Sequence, residues 1–253
     1  MHEPVLLDSA ALSRDQVVSV ARHDVPVQLT DPARAAVLDA RAHIEQLADA
    51  TVATYGVSTG FGALATRHIR TDRRAALQRS LIRSHAAGAG PEVEREVIRA
   101  LMLLRLHTLA SGHTGVRAST VDALAGLLNA GIVPVVQEYG SLGCSGDLAP
   151  LSSVALALIG EGEVHDRHGV RRLAAEAMAE ADIKPVRLAE KEGLALINGT
   201  DGMLGMLVLA SADLRRLLDM ADLTAAMSVE ALLGTDRVFA ADLQALRPHP
   251  GQA

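Results

Sequence analysis

Gly140-Ser-Leu-Gly-Cys-Ser-Gly-Asp-Leu-Ala-Pro-Leu151 is the most informative stretch of this sequence, because small residues crowd into a turn directly before a helix signal. Asp147 and Pro150 are typical of a helix start, so the simplest interpretation is a tight turn with Ser145 or Asp147 as the cap. A phosphate-binding loop is a weaker interpretation, because the stretch lacks the Gly-Lys-Ser/Thr ending of such loops. A Cys144 nucleophile would need a base that the sequence alone does not place.

The Cys144-Ser145-Gly146 tripeptide also allows the backbone to react with itself. The amide nitrogen of Gly146 can attack the carbonyl carbon of Cys144. Loss of two waters, one of them from the Ser145 hydroxyl, then leaves a five-membered methylidene-imidazolone (MIO). Glycine suits the third position because it tolerates unusual backbone angles and leaves its own nitrogen unhindered. Serine is required for its β-hydroxyl, whereas the first residue contributes only its carbonyl group.

Four ordered segments resemble the signature of the aromatic amino acid ammonia-lyases. They are Tyr55-Gly-Val-Ser-Thr-Gly-Phe-Gly62, Ser84-His-Ala-Ala-Gly88, the 140–151 stretch with its continuation to Gly162, and Lys191-Glu-Gly-Leu-Ala-Leu-Ile-Asn-Gly-Thr200. The Ser84-His85 pair is typical of the histidine-specific members, so the chain resembles the N-terminal half of such an enzyme. The resemblance implies a mostly α fold of the aspartase/fumarase-like type. It implies an N-terminal domain over 1–200 that carries the MIO loop, and the start of a long helical bundle over 201–253.

The resemblance also assigns roles to individual side chains. Tyr55 matches the tyrosine that takes the β-proton of the substrate, although an ordinary phenol, with a pKa of about 10, is a poor base at neutral pH. His85 matches the histidine that contacts the substrate imidazole, and Asn198 matches the asparagine beside the substrate and the prosthetic group. Without the resemblance, these residues would be a packing tyrosine, a structural histidine and a turn asparagine. The implied reaction is elimination of ammonia from L-histidine to give trans-urocanate, with MIO as the electrophile and with no dissociable cofactor or metal.

The chain departs from the family pattern at a few positions and in its length. Cys144 replaces the commoner alanine, which cyclisation tolerates, and Tyr139 and Ser153 stand where many histidine-specific members have a basic residue and a histidine. Family members are much longer than this chain of 253 residues. The absent half normally supplies further active-site groups and most of the bundle that forms the homotetramer. We therefore expect a truncated form that lacks residues needed for turnover.

The composition excludes several classes of protein. With 24 Lys+Arg against 30 Asp+Glu and no basic block, the sequence argues against nucleic acid and anionic membrane as partners. The N-terminus has no basic region before an apolar run, so no secretory signal is expected. No uninterrupted apolar stretch approaches the ~18 residues of a membrane span. Cys144 is the single cysteine, which excludes an internal disulfide, and the expected location is the cytoplasm.

Helix and strand signals agree with a mostly α protein. Hydrophobic residues make up 49% and aromatic residues 2% of the chain, so the core must be built from Ala, Leu and Val, which favours close-packed helices. Asp31-Pro32 predicts a capped helix start, and Pro91 with the glutamates after it predicts an acidic first turn for a helix that ends before Gly112. Residues 201–233 predict one long helix with an apolar face. Residues 132–136 look extended, and residues 163–172 resemble a small hairpin.

Two other functions and one metal site compete with the lyase. Gly56-Val-Ser58-Thr-Gly60 fits the nucleophile elbow of a serine hydrolase, with an extended-looking segment before it. That fold would need a parallel strand set, which the sequence does not indicate. A non-catalytic helical interaction module is the second alternative. His165-Asp-Arg-His168 has two imidazoles but no third ligand, so a metal site is not predicted there.

Overall fold

The computed structural model describes residues 3–143 and 146–251, and its secondary structure is mostly helical, as predicted. The helices are α1 (Arg14–His23), α2 (Asp31–Asp49), α3 (Thr71–His85), α4 (Arg95–Ala110), α5 (Ala118–Ala130), α6 (Leu148–Leu158), α7 (Ala174–Glu180), α8 (Glu192–Ile197), α9 (Asp201–Ala231) and α10 (Ala241–Ala245). The strands are β1 (Val5–Leu7), β2 (Val27–Leu29), β3 (Ala89–Glu92), β4 (Val133–Pro134), β5 (Gln137–Tyr139), β6 (Glu163–His165) and β7 (Arg171–Leu173).

The strands form small sheets that fasten loops onto the helical core. β1 pairs with β2 in parallel, and β3 pairs with β5 antiparallel. β4, β6 and β7 form an antiparallel sheet in that order. The predicted extended segment and hairpin are therefore confirmed as β4 and as the β6–β7 pair. Because β5 ends at Tyr139, the β3–β5 pair delivers the chain directly to the 140–147 loop.

Helix α4 is the centre of the first compact unit, Met1–Leu209. Most of its residues are buried, and it packs against α1, α2 and α5. A helix that is apolar on every side belongs in the interior of a domain. Two arginines, Arg99 and Arg105, are nevertheless buried within it, and both must find hydrogen-bond acceptors inside the protein.

The predicted helix ends need two corrections. The cap of α2 is Thr30, whose side chain accepts the N–H of Ala33, and Asp31 is already helical. Pro91 lies in β3, and α4 begins only at Arg95, because pairing with β5 holds the proline segment extended. Gly112 follows the end of α4 with φ +76°, as the predicted helix stop requires. The long helix is confirmed as α9.

The second compact unit, Ala210–Ala253, contains the remainder of α9, a 3-10 turn at Asp236–Phe239 and α10. Its large apolar side chains are mostly exposed. The predicted domain boundary near Asp201 stays a prediction.

By length and apolar composition, the helical segment Glu192–Ala231 could cross a membrane, although the sequence showed no uninterrupted apolar run of that length. Within the most apolar part of this segment, 44% is buried inside the molecule. Core helices of soluble proteins can have the same length and apolar composition. The finding is therefore weak support for a span.

Candidate active site

The loop that carries Tyr55 is fixed by its own backbone. The carbonyl oxygen of Thr54 accepts the N–H groups of Val57, Ser58 and Thr59 at 3.0–3.3 Å. The Tyr55 ring is half exposed and meets Phe61 edge to face, with ring centroids 6.2 Å apart. The aromatic contact holds the ring, while its exposure leaves the hydroxyl open to a ligand.

His85 is the last residue of α3, and its ring is oriented by local hydrogen bonds. Its Nδ1 lies 2.9 Å from the carbonyl oxygen of Leu81 and 2.9 Å from the Ser84 hydroxyl. In the tautomer that carries its proton on Nδ1, the ring donates to this carbonyl oxygen, which can only accept. The Nε2 atom is then the acceptor that remains available to a ligand.

The 140–147 loop contains the predicted cyclising tripeptide, of which Gly146 is described and Cys144 and Ser145 lie outside the described residues. Gly146 has φ +121°, a value that side-chain-bearing residues rarely adopt. A Cβ at this position would lie 2.7 Å from the carbonyl oxygen of Gly199. The third position of the tripeptide thus requires glycine on both conformational and steric grounds, and this observation fits the MIO group.

Asp147 links this loop to the start of α9. Its carboxylate is buried, accepts the N–H groups of Gly202 and Met203 at 2.7 and 3.0 Å, and accepts the Ser141 hydroxyl at 2.5 Å. The sequence predicts either Ser145 or Asp147 as the cap of the helix directly after this loop. Asp147 occupies the backbone cap position of α6, but its side chain caps α9 instead. Because the first N–H groups of a helix lack partners within that helix, a carboxylate is well placed there.

Asn198 follows the end of α8 and is exposed, with its N–H donating to the carbonyl oxygen of Leu194 at 3.0 Å. The start of α8 is fixed by α3, because the Gln78 side-chain oxygen accepts the N–H of Gly193 at 2.8 Å. Helix α3 ends at His85. Gln78 therefore connects the helix that presents His85 with the helix that ends directly before Asn198.

The four family-like segments meet in the fold through close backbone approaches. A Cβ on Gly56 would lie 2.8 Å from Leu194, and a Cβ on Gly140 would lie 3.3 Å from the Cα of Gly88. The N–H of Asp147 donates to the carbonyl oxygen of Gly199 at 2.6 Å. The structure thus brings together the segments that carry Tyr55, His85, Gly146 and Asn198. Within the described ranges, the side chains of Tyr55, His85 and Asn198 share no hydrogen bond with one another.

The serine hydrolase interpretation finds no support. Ser58 is fully buried, and its hydroxyl accepts the N–H of Thr54 at 2.9 Å, so it is a structural group of the loop. The segment before it is not a strand. No cluster of three or more His, Cys, Asp or Glu residues suited to a metal occurs in residues 3–143 and 146–251.

Sequence reasoning missed the buried charges that support the site. The Arg105–Asp201 and Arg117–Glu192 ion pairs join residues that lie 96 and 75 positions apart. Burial alone would raise the pKa of the Glu192 carboxyl. Hydrogen bonds from Arg117, Thr120 and backbone N–H groups outweigh burial and lower this pKa below its ordinary value. The available signal was an arginine within an otherwise apolar helix such as α4.

Comparisons with known proteins agree with this arrangement. The family model described as aromatic amino acid lyase matches residues 12–253. The chain is 62% identical over 252 residues to a histidine ammonia-lyase of Streptomyces griseus, covering 100% of this chain and 49% of that protein. It is 48% identical over 240 residues to a histidine ammonia-lyase of Deinococcus radiodurans, covering 95% and 46%. The chain spans about half the length of the curated relatives it matches.

Solved structures give the same result for the fold. The histidine ammonia-lyase of Trypanosoma cruzi superposes with a TM-score of 0.91 at 35% identity, covering 98% of this chain and 48% of that one. A tyrosine aminomutase from Streptomyces globisporus superposes with a TM-score of 0.91 at 39% identity, covering 98% and 47%.

Proposed function

This chain belongs to the aromatic amino acid lyase family, and on that premise we propose that its protein eliminates ammonia from L-histidine to give trans-urocanate. The observation that carries the proposal is that the four family-like segments contact one another in the fold, with Gly146 against Gly199. Because the chain spans only about half of its curated relatives, the activity is proposed for the whole protein. The proposal includes a cytoplasmic location and a homotetrameric assembly.

The residues that would form the prosthetic group are Cys144, Ser145 and Gly146. The group would supply the electrophile that turns the substrate amine into a leaving group. Gly146 contributes the amide nitrogen that closes the ring. Its N–H donates to the carbonyl oxygen of Gly143, with 3.2 Å between nitrogen and oxygen. Its backbone has a positive φ and lies against Gly199.

The remaining side chains bind the substrate and move its proton. His85 offers Nε2 to the substrate imidazole, since Nδ1 is taken by Leu81. Tyr55, with its ring held by Phe61, removes the β-proton. This step requires the completed site to stabilise the phenolate anion. Asn198, at the end of α8, lies on the segment that contacts the cyclising loop and can orient the substrate.

The mass of the peptide spanning residues 140–151 tests the proposal. We expect it to be two waters lighter than the sequence predicts. Ser145→Ala should abolish this loss because no hydroxyl remains to be eliminated. Cys144→Ala is the matched control and should still lose two waters, because only the carbonyl group of residue 144 reacts. An unmodified wild-type peptide, or a retained mass loss in Ser145→Ala, would refute cyclisation in this chain.

A further inference from the structure

A single buried guanidinium joins the end of α8 to the start of α9. Arg105, on α4, is 3% exposed, and Asp201, the first residue of α9, is 7% exposed. Both Nε and Nη2 of Arg105 donate to Oδ2 of Asp201, the Nε bond at 3.1 Å. Its Nη1 donates to the carbonyl oxygen of Ala195 at 3.0 Å. All three guanidinium nitrogens thus donate to the end of α8 or the start of α9, the two helix ends that flank Asn198.

The turn between these helix ends lies directly on the guanidinium. A Cβ added to Gly199 would overlap Nη2 of Arg105, so the glycine backbone rests against the arginine. On its other side, the carbonyl oxygen of Gly199 accepts the N–H of Asp147 at 2.6 Å. A Cβ on Gly146 would also meet that oxygen. The Gly199 backbone therefore contacts Arg105 on one side and the 140–147 loop on the other.

We propose that Arg105 is a positioning residue whose forked guanidinium holds the 198–200 turn against Gly146 and Asp147 of the cyclising loop, which keeps Gly146 placed for cyclisation. This inference rests on the proposed function. A compact ammonium could not reproduce the fork, because a guanidinium fixes its donors in one plane. Asp201 accepts two of the donors and fixes the orientation of that plane.

Arg99 provides a matched comparison on the same helix. It is 1% exposed and also donates to two backbone carbonyl groups, those of Val20 and Leu128. It also forms an ion pair with a carboxylate, that of Asp24, at 2.9 Å. These contacts involve α1 and α5 and not the 198–200 turn. Loss of either arginine leaves buried acceptors without a donor and lowers stability, but only Arg105 contacts the candidate site.

The first test compares Arg105→Gln with Arg99→Gln in the full chain. Both should lower the unfolding temperature. Only Arg105→Gln should reduce the fraction of the 140–151 peptide that has lost two waters, by at least about tenfold. Wild-type cyclisation in a folded Arg105→Gln protein, or equal losses in both variants, would overturn the proposal.

The second test does not depend on cyclisation. In a Ser145→Ala background, which cannot form the methylidene-imidazolone, hydrogen exchange of the Asp147 amide reports its bond to Gly199 directly. Adding Arg105→Gln should speed this exchange at least tenfold, whereas adding Arg99→Gln should not. If the wild-type peptide is unmodified but exchange responds as expected, cyclisation in this chain fails and the positioning role stands. If exchange does not respond, the positioning role fails, whatever the peptide mass.

Arg105→Lys keeps the test decisive if Arg105→Gln does not fold. The variant retains a charge opposite Asp201 but replaces the planar fork with a single ammonium. We expect a folded protein with Asp147 exchange several-fold faster than in the wild type. Wild-type exchange and wild-type cyclisation in Arg105→Lys would contradict the requirement for the fork.

Discussion

Tyr55 has an internal control, because the chain contains only two tyrosines. Both rings are exposed, but Tyr55 lies on the loop against α8, whereas Tyr139 ends β5 and packs over Gly90. In a protein completed by the half that the curated relatives possess, Tyr55→Phe should lower kcat by about 10²–10⁴, as expected for a general base. Tyr139→Phe should leave kcat nearly unchanged. Histidine turnover, followed as urocanate absorbance, checks both, and equal rates in the two variants would remove Tyr55 from the base role.

Glu192 is the second residue with a defined prediction. Its carboxylate is fully buried and accepts the N–H of Arg117, the Thr120 hydroxyl and the N–H of Ala189 at 2.6–2.9 Å. Its pKa is lowered from the ordinary 4.5, despite burial, by these hydrogen bonds and by the Arg117 side chain. A lowered pKa stabilises the fold above the ordinary value, and this stabilisation is lost as pH falls through the folded value.

Glu192→Gln should therefore destabilise the protein most at pH 7, by roughly 1–3 kcal/mol. The difference from wild type should shrink as pH falls below about 4.5. Urea unfolding at a series of pH values from 7 to 3 measures this. The control is Glu45→Gln, because Glu45 is 59% exposed beside Arg41 and its replacement should have little effect at any pH. A Glu192→Gln penalty that does not change with pH would contradict the assigned charge.

At the scale of the element, the start of α9 depends on a carboxylate from another segment. Asp147→Ala removes the acceptor of the Gly202 and Met203 N–H groups. Loss of a helix cap costs about 0.5–2 kcal/mol, and burial of the freed donors places this site at the upper end. Asp122→Ala is the control, since its ion pair with Arg34 is 44–46% exposed and contributes about 0–1 kcal/mol. Equal shifts of the urea midpoint would show that Asp147 does not cap α9.

Sequence patterns predicted the elements whose signals are local. The long helix α9 and the β6–β7 hairpin are confirmed, because apolar periodicity and turn residues act over a few positions. The start of α4 was wrong by several residues, because pairing of β3 with β5 overrides the helix-start preference of Pro91. The sequence predicts Ser145 or Asp147 as the cap of the adjacent helix, whereas the Asp147 side chain caps α9, because sequence does not show which helix start a side chain will reach.

The same distinction between local signals and distant contacts applies to the candidate site. Roles could be predicted for the residues on the family-like segments, since each lies in a recognisable local string, and these roles stay predictions. The groups that hold those strings together could not be predicted, because their partners are distant in sequence: Gln78 and Gly193 are 115 positions apart, and Arg105 and Asp201 are 96 apart. Buried polar side chains must be paired, so an arginine in an apolar helix predicts that a partner exists without identifying it.

At the scale of the whole molecule, burial is distributed unevenly between the two compact units. In Met1–Leu209 the large apolar side chains of α4 have almost no exposed surface, whereas in Ala210–Ala253 the large apolar side chains are mostly exposed. The area removed from water sets most of the stabilisation by apolar side chains. Identical substitutions should therefore have very different effects in the two units.

Leu103 and Leu217 allow this to be tested with the same chemical change. Leu103 in α4 is 0% exposed, and Leu217 in α9 is 65% exposed. Leu103→Ala should lower the free energy of unfolding by about 2–5 kcal/mol, since it removes buried methyl groups and leaves a cavity. Leu217→Ala should change it by no more than about 0.5 kcal/mol. Urea unfolding at two protein concentrations separates folding from self-association, because exposed apolar surface of this kind favours association. A large, concentration-dependent loss in Leu217→Ala would mean that copies of the chain bury this face in solution, and the contrast between the two units would then not hold.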